Sequence, residues 1–424
     1  MLPNSVPFDA GSFDWSQIPA AAGVFALYGA DEHAEPFISR TPGLRRRLRR
    51  LLDPRPEQSK RLRLAGRVAR IAFAVTGSDF ESLFLLYGAV SSAFGERARK
   101  RLHLRPPFFL RMTMENAYPR VYVTNRVTKS AAADLFGPFP SRAAAEKCME
   151  DVLNLFLLRR CTDDLHPDPA FPGCVYSEMK KCLAPCFKGC SDERYAEEAK
   201  TVHAFFATRG ESLVQILTAA REQASEALNF EQAAEAHARL AKVETILSST
   251  SPVIRPLSRL TGILLQPSAM PDHVAVFLLR QGELSGPAFY SVQGMRHPNE
   301  QSGSSSLFAH PVAMTAVPLE SAPVTQPVSH DDLDRRLDHA LSELGWNRPA
   351  KPSGRHLADH LCLFSRWYHR PQAKRTGEVI FAMPDGELPR KLLIRAISRV
   401  FRQGVEAAAG PGPAAPPQIS PASN

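Results

Sequence analysis

The sequence predicts an α+β fold divided among several domains, and three observations support this prediction. First, 424 residues exceed the length that one hydrophobic core usually organises, so more than one domain is expected. Second, strand-like and helix-like patterns alternate over the first 190 residues, whereas residues 191–250 have helical periodicity throughout. Third, strand-like patterns return after residue 255, so a further α/β region follows the helical one.

Residues 15–100 are predicted to form a compact α/β unit. A helix that begins near Gly43 carries leucines on one stripe and arginines on its remaining faces, which is typical of a helix packed on a core. The stripe consists of Leu44, Leu48, Leu51 and Leu52. The other predicted elements are strands at 22–28, 35–39 and 68–75 and a helix at 80–90.

Positive charge is concentrated in this first unit. The chain has a net charge of +9, and twelve Lys or Arg residues face only two acids between Arg40 and Arg70. Clustered cations favour a polyanion, because their binding releases counterions condensed on nucleic acid. A solvated basic face on a core helix is the alternative, and composition alone favours DNA or RNA binding only narrowly. The residues predicted to contact DNA are Arg40, Arg45, Arg46, Arg49 and Arg50.

Residues 101–190 are predicted to form a second region that ends in a cysteine cluster. Strands are expected at 108–113 and 120–124, a turn at 136–140 and a helix at 143–158. Five thiols follow within thirty residues: Cys161, Cys174, Cys182, Cys186 and Cys190. A four-iron cluster, a structural zinc and unliganded buried thiols are the three explanations. Crowded thiolates repel one another without a cation, which favours a metal centre, and the absence of CxxC pairs favours iron–sulfur over zinc.

Residues 191–250 are predicted to hold two amphipathic helices that meet at Asn229. Asn229 is a favourable N-cap, and Gln232 three residues later completes a capping-box pattern. Two helices alone bury little apolar surface, so the pair is expected either to pack on the cysteine region or to dock on a partner.

Residues 255–405 return to strand-like patterns at 261–265, 274–279 and 378–382. Loops are predicted at 296–306 and 318–329, and a disordered tail rich in proline and alanine at 406–424. No apolar run approaches the roughly 20 residues that span a bilayer, and the N-terminal residues do not resemble a signal peptide. A cytoplasmic protein without a membrane partner is therefore expected, in which seven cysteines do not form a disulfide framework.

Four strings, in this order, resemble the C subunit of the UvrABC excinuclease. They are Phe-Gly-Pro-Phe-Pro-Ser at 136–141, Leu-Leu-Arg-Arg-Cys at 157–161, the segment from 174 to 186 and Ala-Leu-Asn-Phe-Glu-Gln-Ala-Ala at 227–234. The resemblance covers roughly residues 15–290. It implies that Cys161, Cys174, Cys182 and Cys186 bind a [4Fe–4S] cluster. It also implies that residues 213–248 are a UVR hairpin that binds a UvrB-like helicase subunit through Phe230, Glu231 and Ala234.

The resemblance further implies that residues 15–100 are a GIY-YIG nuclease domain with a degenerate active site. Phe25 and Phe37 stand where the family has its two tyrosines, and Leu86 stands where it has a metal-binding glutamate. Arg47 matches the family arginine that stabilises phosphoryl charge. Phenyl and aliphatic groups cannot bind a divalent ion or accept a proton, so Mg²⁺ is not expected.

The expected function is therefore DNA binding in nucleotide excision repair without incision by this chain. A working nuclease with a rearranged site is the first alternative, and a basic, metal-stabilised nucleic-acid-binding module outside repair is the second. Residues 255–405 resemble the start of the family's RNase H-like domain, but we find no carboxylate-bearing strand there that would hold two metals. They are expected to be a partial copy of it.

Overall fold

The computed structural model describes residues 2–31, 33–53, 64–128, 130–295, 329–348 and 356–409. The first unit is one antiparallel sheet with the strand order β1-β4-β2-β3 and a helix on each face. Its elements are β1 (Asn4–Pro7), β2 (Gly23–Gly29), β3 (Phe37–Thr41), α1 (Leu44–Leu52), β4 (Val68–Val75), α2 (Asp79–Phe94) and α3 (Ala98–Arg101).

The leucine stripe determines which face of this sheet α1 covers. Leu44 and Leu48 are buried against Phe25 on one side of the sheet, as the stripe predicts. On the opposite side, Leu86 of α2 packs against Val24. Because alternate residues of β2 point to opposite faces, neighbouring residues Val24 and Phe25 enter different cores.

The second unit is an antiparallel sheet with the order β6-β5-β7-β8, followed by a largely helical segment within the same unit. Its elements are β5 (Phe108–Met112), β6 (Val121–Thr124), β7 (Leu135–Phe139), α4 (Arg142–Leu153), α5 (Val175–Glu178), α6 (Asp192–Ala207), α7 (Glu211–Glu226), α8 (Phe230–Ser249) and β8 (Arg255–Pro256).

Two predictions for the second unit are wrong. The turn expected at 136–140 is largely β7, a buried strand paired on one side with β5 and on the other with β8. Pro138 is accommodated where the β5–β7 register shifts, so the ladder does not require a donor from every residue. The helix expected to reach residue 158 ends at Leu153, where Asn154 is the C-cap.

The two predicted helices of residues 213–248 form an antiparallel pair, and an additional helix, α6, precedes them. Asn229 caps α8, and its side chain accepts a hydrogen bond from the Gln232 amide at 3.2 Å, as the capping pattern predicts. Leu213, Leu217 and Val243 are buried against aromatic residues of α6. The base of the pair therefore packs on the cysteine-containing unit.

The third unit is an antiparallel sheet with the order β11-β10-β9-β12, covered on both faces by helices. Its elements are β9 (Gly262–Pro267), β10 (His273–Arg280), β11 (Glu283–Ser291), α9 (His330–Glu343), α10 (Leu357–Tyr368), β12 (Glu378–Phe381) and α11 (Arg390–Ala409). α9 and α11 cover one face and α10 covers the other. Residues 406–409 are therefore helical and not part of a disordered tail, whereas 410–424 and most of both predicted loops lie outside the described residues.

The first and third units share one hydrophobic core. The ring of Phe80 in α2 lies 5.2 Å from that of Phe277 in β10 and 5.6 Å from that of Trp367 in α10. Phe109 of the second unit joins the same cluster, so aromatic packing links all three units. None of the described helices combines the length and apolar character that crossing a lipid bilayer requires.

Candidate nucleic-acid interface and cysteine centre

An arginine-lined groove of about 1070 Å³ lies where β3 leads into α1. All five arginines predicted to contact DNA line it, together with Arg47. The α1 sequence explains this arrangement, because its leucines occupy the core face and leave every arginine on the remaining surface. Asp53 is the one acidic residue among the described residues that line the groove.

The groove arginines differ in whether they already form hydrogen bonds or ion pairs with other groups of the chain. Arg45 donates from Nε to the Ile18 carbonyl at 2.6 Å, Arg40 forms an ion pair with Asp79, and Arg49 lies 3.4 Å from Asp53. In the described part of the chain, no carboxylate pairs with the three remaining arginines, which are Arg46, Arg47 and Arg50. These three guanidinium groups are the ones available to an external anion.

The two phenylalanines of the nuclease-like pattern lie close together on the α1 side of the sheet. Their ring centroids are 6.1 Å apart, and Phe25 is fully buried whereas Phe37 is 45% exposed. The register pairs Phe25 with Ser39 and Leu27 with Phe37, which places both rings on the same face. Neither ring offers a hydroxyl group to water or to a metal-bound water.

Leu86 is not brought to this face. It packs with Val24 and Val90 on the opposite side of the sheet. The nearby Glu81 does not line the groove either, because its carboxylate is buried and accepts a hydrogen bond from the Gly77 amide at 2.8 Å. Burial raises the pKa of Glu81 from 4.5 to about 7, so this carboxyl becomes protonated as the pH falls below neutral.

The four predicted cysteine ligands lie in one neighbourhood. Burial is the main cause that raises the pKa of the Cys182 thiol to about 11, and the nearby Cys161, Cys174 and Cys186 contribute in the same direction. The Cys182 sulfur accepts a hydrogen bond from the Ala184 amide at 3.3 Å, and the Arg159 guanidinium lies 3.6 Å from the Cys161 sulfur. Such N–H···S contacts stabilise negative charge on sulfur, which a metal-bound thiolate carries.

The thiols do not form a closed metal-binding arrangement. Among the described residues, no group of three or more His, Cys, Asp or Glu side chains is placed to hold a metal ion.

The tip of the α7–α8 pair is exposed to solvent. Phe230 is 71% exposed there, and Glu231 and Ala234 beside it are also exposed. Leu228, next to the N-cap, adds a second exposed apolar side chain. The base of the pair is thus fixed within the second unit, whereas the tip presents an apolar surface to solvent.

A polar cluster that sequence reasoning missed joins α10 to α2 and α3. Arg99 donates to Asp359 at 2.7 Å, and the Tyr87 hydroxyl donates to the same carboxylate at 3.1 Å while lying 2.7 Å from His356 Nδ1. His360 Nδ1 accepts from the Leu284 amide at 3.1 Å, and burial lowers its pKa to about 4. The signal was present as His, Asp and His at i, i+3 and i+4 on one helix face.

Comparison with known proteins identifies relatives for part of the chain. Residues 108–205, which contain all five clustered cysteines, match the family model described as UvrC/Cho excinuclease, middle domain. The UvrABC system protein C of Aliivibrio salmonicida is 28% identical over 238 residues, covering 54% of this chain and 37% of that protein. The protein of the same name from Ectopseudomonas mendocina is 26% identical over 256 residues, covering 58% and 40%.

A third relative, the UvrABC system protein C of a Chelativorans species, is 25% identical over 284 residues, covering 65% of this chain and 42% of that protein. The chain thus spans about two-fifths of the length of these curated relatives. No solved structure matches the chain.

Proposed function

We propose that this chain, whose residues 108–205 match the middle domain of UvrC/Cho excinucleases, binds DNA in nucleotide excision repair without incising it. The observation that carries the proposal is the arginine groove, in which Arg46, Arg47 and Arg50 have no carboxylate partner within the described residues. Guanidinium groups held on one helix face match the phosphates of a nucleic-acid backbone, and their binding displaces condensed counterions.

The chemistry of the groove supports binding and not cleavage. Metal-assisted phosphodiester cleavage needs hard oxygen ligands for the ion and a group that accepts a proton from water. Phe25 and Phe37 provide neither, and Leu86 lies on the other side of the sheet. The arginines that remain stabilise phosphate charge in the bound state without generating a nucleophile.

One observation favours the alternative of a working nuclease. Asp53 lines the groove among the arginines and could provide one oxygen ligand for a rearranged metal site. Its 3.4 Å separation from Arg49 directs that carboxylate to an ion pair, which competes with metal binding.

The thiol cluster is proposed to hold a [4Fe–4S] cluster through Cys161, Cys174, Cys182 and Cys186. The support is the proximity of the four sulfurs and the amide and guanidinium donors that face them. When bound, such a cluster would tie together a segment that has little regular structure of its own between α4 and α6. Cys190 lies near Cys186 but is not part of the proposed ligand set, which the resemblance assigns to the other four thiols.

The tip of the α7–α8 pair is proposed to bind a UvrB-like helicase subunit. An exposed aromatic side chain is costly to leave in water and is a frequent centre of binding energy at interfaces. Phe230 fulfils this description, with Glu231 and Ala234 on the adjoining surface. The intramolecular packing of the base fixes the direction in which the tip projects.

The experiment that tests the main proposal is titration of a labelled DNA duplex with the full chain. Wild-type protein is expected to bind with strong salt dependence, and a variant carrying Gln at positions 46, 47 and 50 is expected to lose most of that dependence. Binding that is insensitive to these substitutions would contradict the assignment of the groove as the DNA interface.

A further inference from the structure

A second cationic cavity lies away from the arginine groove, at the junction of the second and third units. It has a volume of about 440 Å³ and is enclosed by the α6–α7 turn, β8 and the loop that follows β12. Three arginines line it: Arg209 from the α6–α7 turn, and Arg255 and Arg259 from β8 and the residues that directly follow it. Sequence patterns could not reveal this grouping, because 46 residues separate the first of these arginines from the second.

The charges of this cavity are not balanced within the described chain. None of its three arginines forms an ion pair with a carboxylate in the described ranges, and the only acid on the cavity wall is Glu211. Glu211 accepts a hydrogen bond from the Gln215 side chain at 3.2 Å. Among the described residues, Arg259 and Arg255 donate hydrogen bonds only to carbonyl oxygens, those of Ala207 and Pro252.

Arg255 is the residue that makes this imbalance costly. Its Nε is buried without a hydrogen-bond partner in the described part of the molecule, and its guanidinium lies 3.9 Å above the Phe381 ring. Burial lowers its pKa to about 10, and the nearby charge of Arg209 lowers it as well. Partly desolvated like charges destabilise a protein unless an anion neutralises them, so the site favours a negatively charged ligand.

The remaining walls indicate more than a simple inorganic anion. Pro256, Ala382, Met383 and Pro384 form the apolar part of the same cavity wall, and Met383 is 50% exposed. A cavity of this volume suits one small ligand and is too small for a duplex. An anion joined to a flat, weakly polar group would satisfy both parts of the cavity wall.

We propose that this cavity binds one nucleotide, with its phosphate on Arg209, Arg255 and Arg259 and its base or sugar against Met383 and the prolines. The nucleotide could be free in solution or could be the 5′-phosphorylated end of a DNA strand, since both carry the same chemistry. The inference does not depend on the arginine groove, which is built from different elements of the first unit.

The test uses the full chain, with Gln at positions 46, 47 and 50 so that the groove does not contribute. Adenosine 5′-monophosphate and adenosine are titrated by calorimetry, alongside a five-nucleotide DNA strand with either a 5′-phosphate or a 5′-hydroxyl. The phosphorylated ligands are expected to bind at least tenfold more tightly than their unphosphorylated counterparts. Binding of the monophosphate alone identifies a free nucleotide, and binding of the phosphorylated strand alone identifies a strand end.

Two substitutions locate the site. Arg255→Gln is expected to weaken phosphate-dependent binding at least tenfold, and Met383→Glu, at an exposed position that leaves the core intact, is expected to do the same by repulsion. Arg239→Gln, on the exposed face of α8, is the matched control and should change nothing. Equal binding of adenosine and its monophosphate, no binding of any probe, or binding unaffected by Met383→Glu would each overturn the proposal.

Discussion

Salt dependence of DNA binding provides a quantitative test of the arginine groove. The perturbation is the combined substitution of Arg46, Arg47 and Arg50 by Gln, because these three lack carboxylate partners among the described residues. Each phosphate contact on duplex DNA contributes about −0.9 to the slope of log K against log salt. Removing three contacts should therefore make the slope less negative by about 2.7.

The assay is fluorescence anisotropy of a labelled duplex between 50 and 200 mM NaCl. Over this fourfold range of salt concentration, the binding constant of the triple variant should therefore fall by roughly 40-fold less than that of the wild type. Arg49→Gln is the matched control, since Arg49 already pairs with Asp53 and should change the slope by less than one contact. An unchanged slope in the triple variant, or an equal change in the control, would refute the reasoning.

Three further predictions concern other parts of the molecule. Purified protein should be brown with absorbance near ~400 nm, which Cys182→Ser should abolish and Cys190→Ser should leave; a colourless protein containing zinc would contradict the iron–sulfur assignment. Phe230→Ala should weaken binding to a B-subunit UVR peptide at least tenfold without moving the urea midpoint, since the ring is exposed; unchanged binding would remove the docking assignment. The pKa of Glu81 is raised to about 7 from 4.5, so its contribution to stability is present below pH 4.5 and is lost as pH rises to 7. Glu81→Gln should abolish this loss, which is on the order of 3 kcal/mol. Urea denaturation at pH 5 and pH 8 measures the change in unfolding free energy that the substitution causes, and an equal change at both pH values would contradict the reasoning.

Local patterns predicted the parts of the fold that depend on local physics. The leucine stripe of α1 and the Asn229 cap were recoverable because helix periodicity and capping involve residues within a few positions of one another. The strand prediction at 68–75 coincides with β4 for the same reason, since a short apolar run bounded by turn residues is a local signal. The clustering of cysteines within one segment is likewise a local signal, and the structure brings Cys161, Cys174, Cys182 and Cys186 near one another.

Predictions failed where distant residues decide the structure. β7 was taken for a turn because its Gly-Pro pair is a turn signal, but pairing with β5 and β8 overrides that preference. The shared core of the first and third units depends on Phe80 meeting Phe277, almost two hundred residues later. No single-sequence pattern specifies such a contact, and the same holds for the cluster of Tyr87, Arg99 and Asp359.

The sequence predicted which residues line the arginine groove better than it predicted where the other site residues lie. The five arginines named from charge density and Arg47, named from the resemblance, line one groove because they lie on one short helix and the strand before it. The position of Leu86 on the opposite face was not predictable from spacing, since the spacing does not specify which side of the sheet α2 covers. The three arginines of the junction cavity were missed because Arg209 is distant in sequence from Arg255 and Arg259.

The most direct test of binding without incision is one reaction analysed on two gels. The full chain is incubated with a damaged duplex, a B subunit and Mg²⁺; a native gel reports binding and a denaturing gel reports strand integrity. The expected result is a shifted complex that contains intact strands. Cleaved strands with the wild type, and intact strands with Arg47→Ala or Asp53→Asn, would contradict the account and establish a rearranged nuclease site.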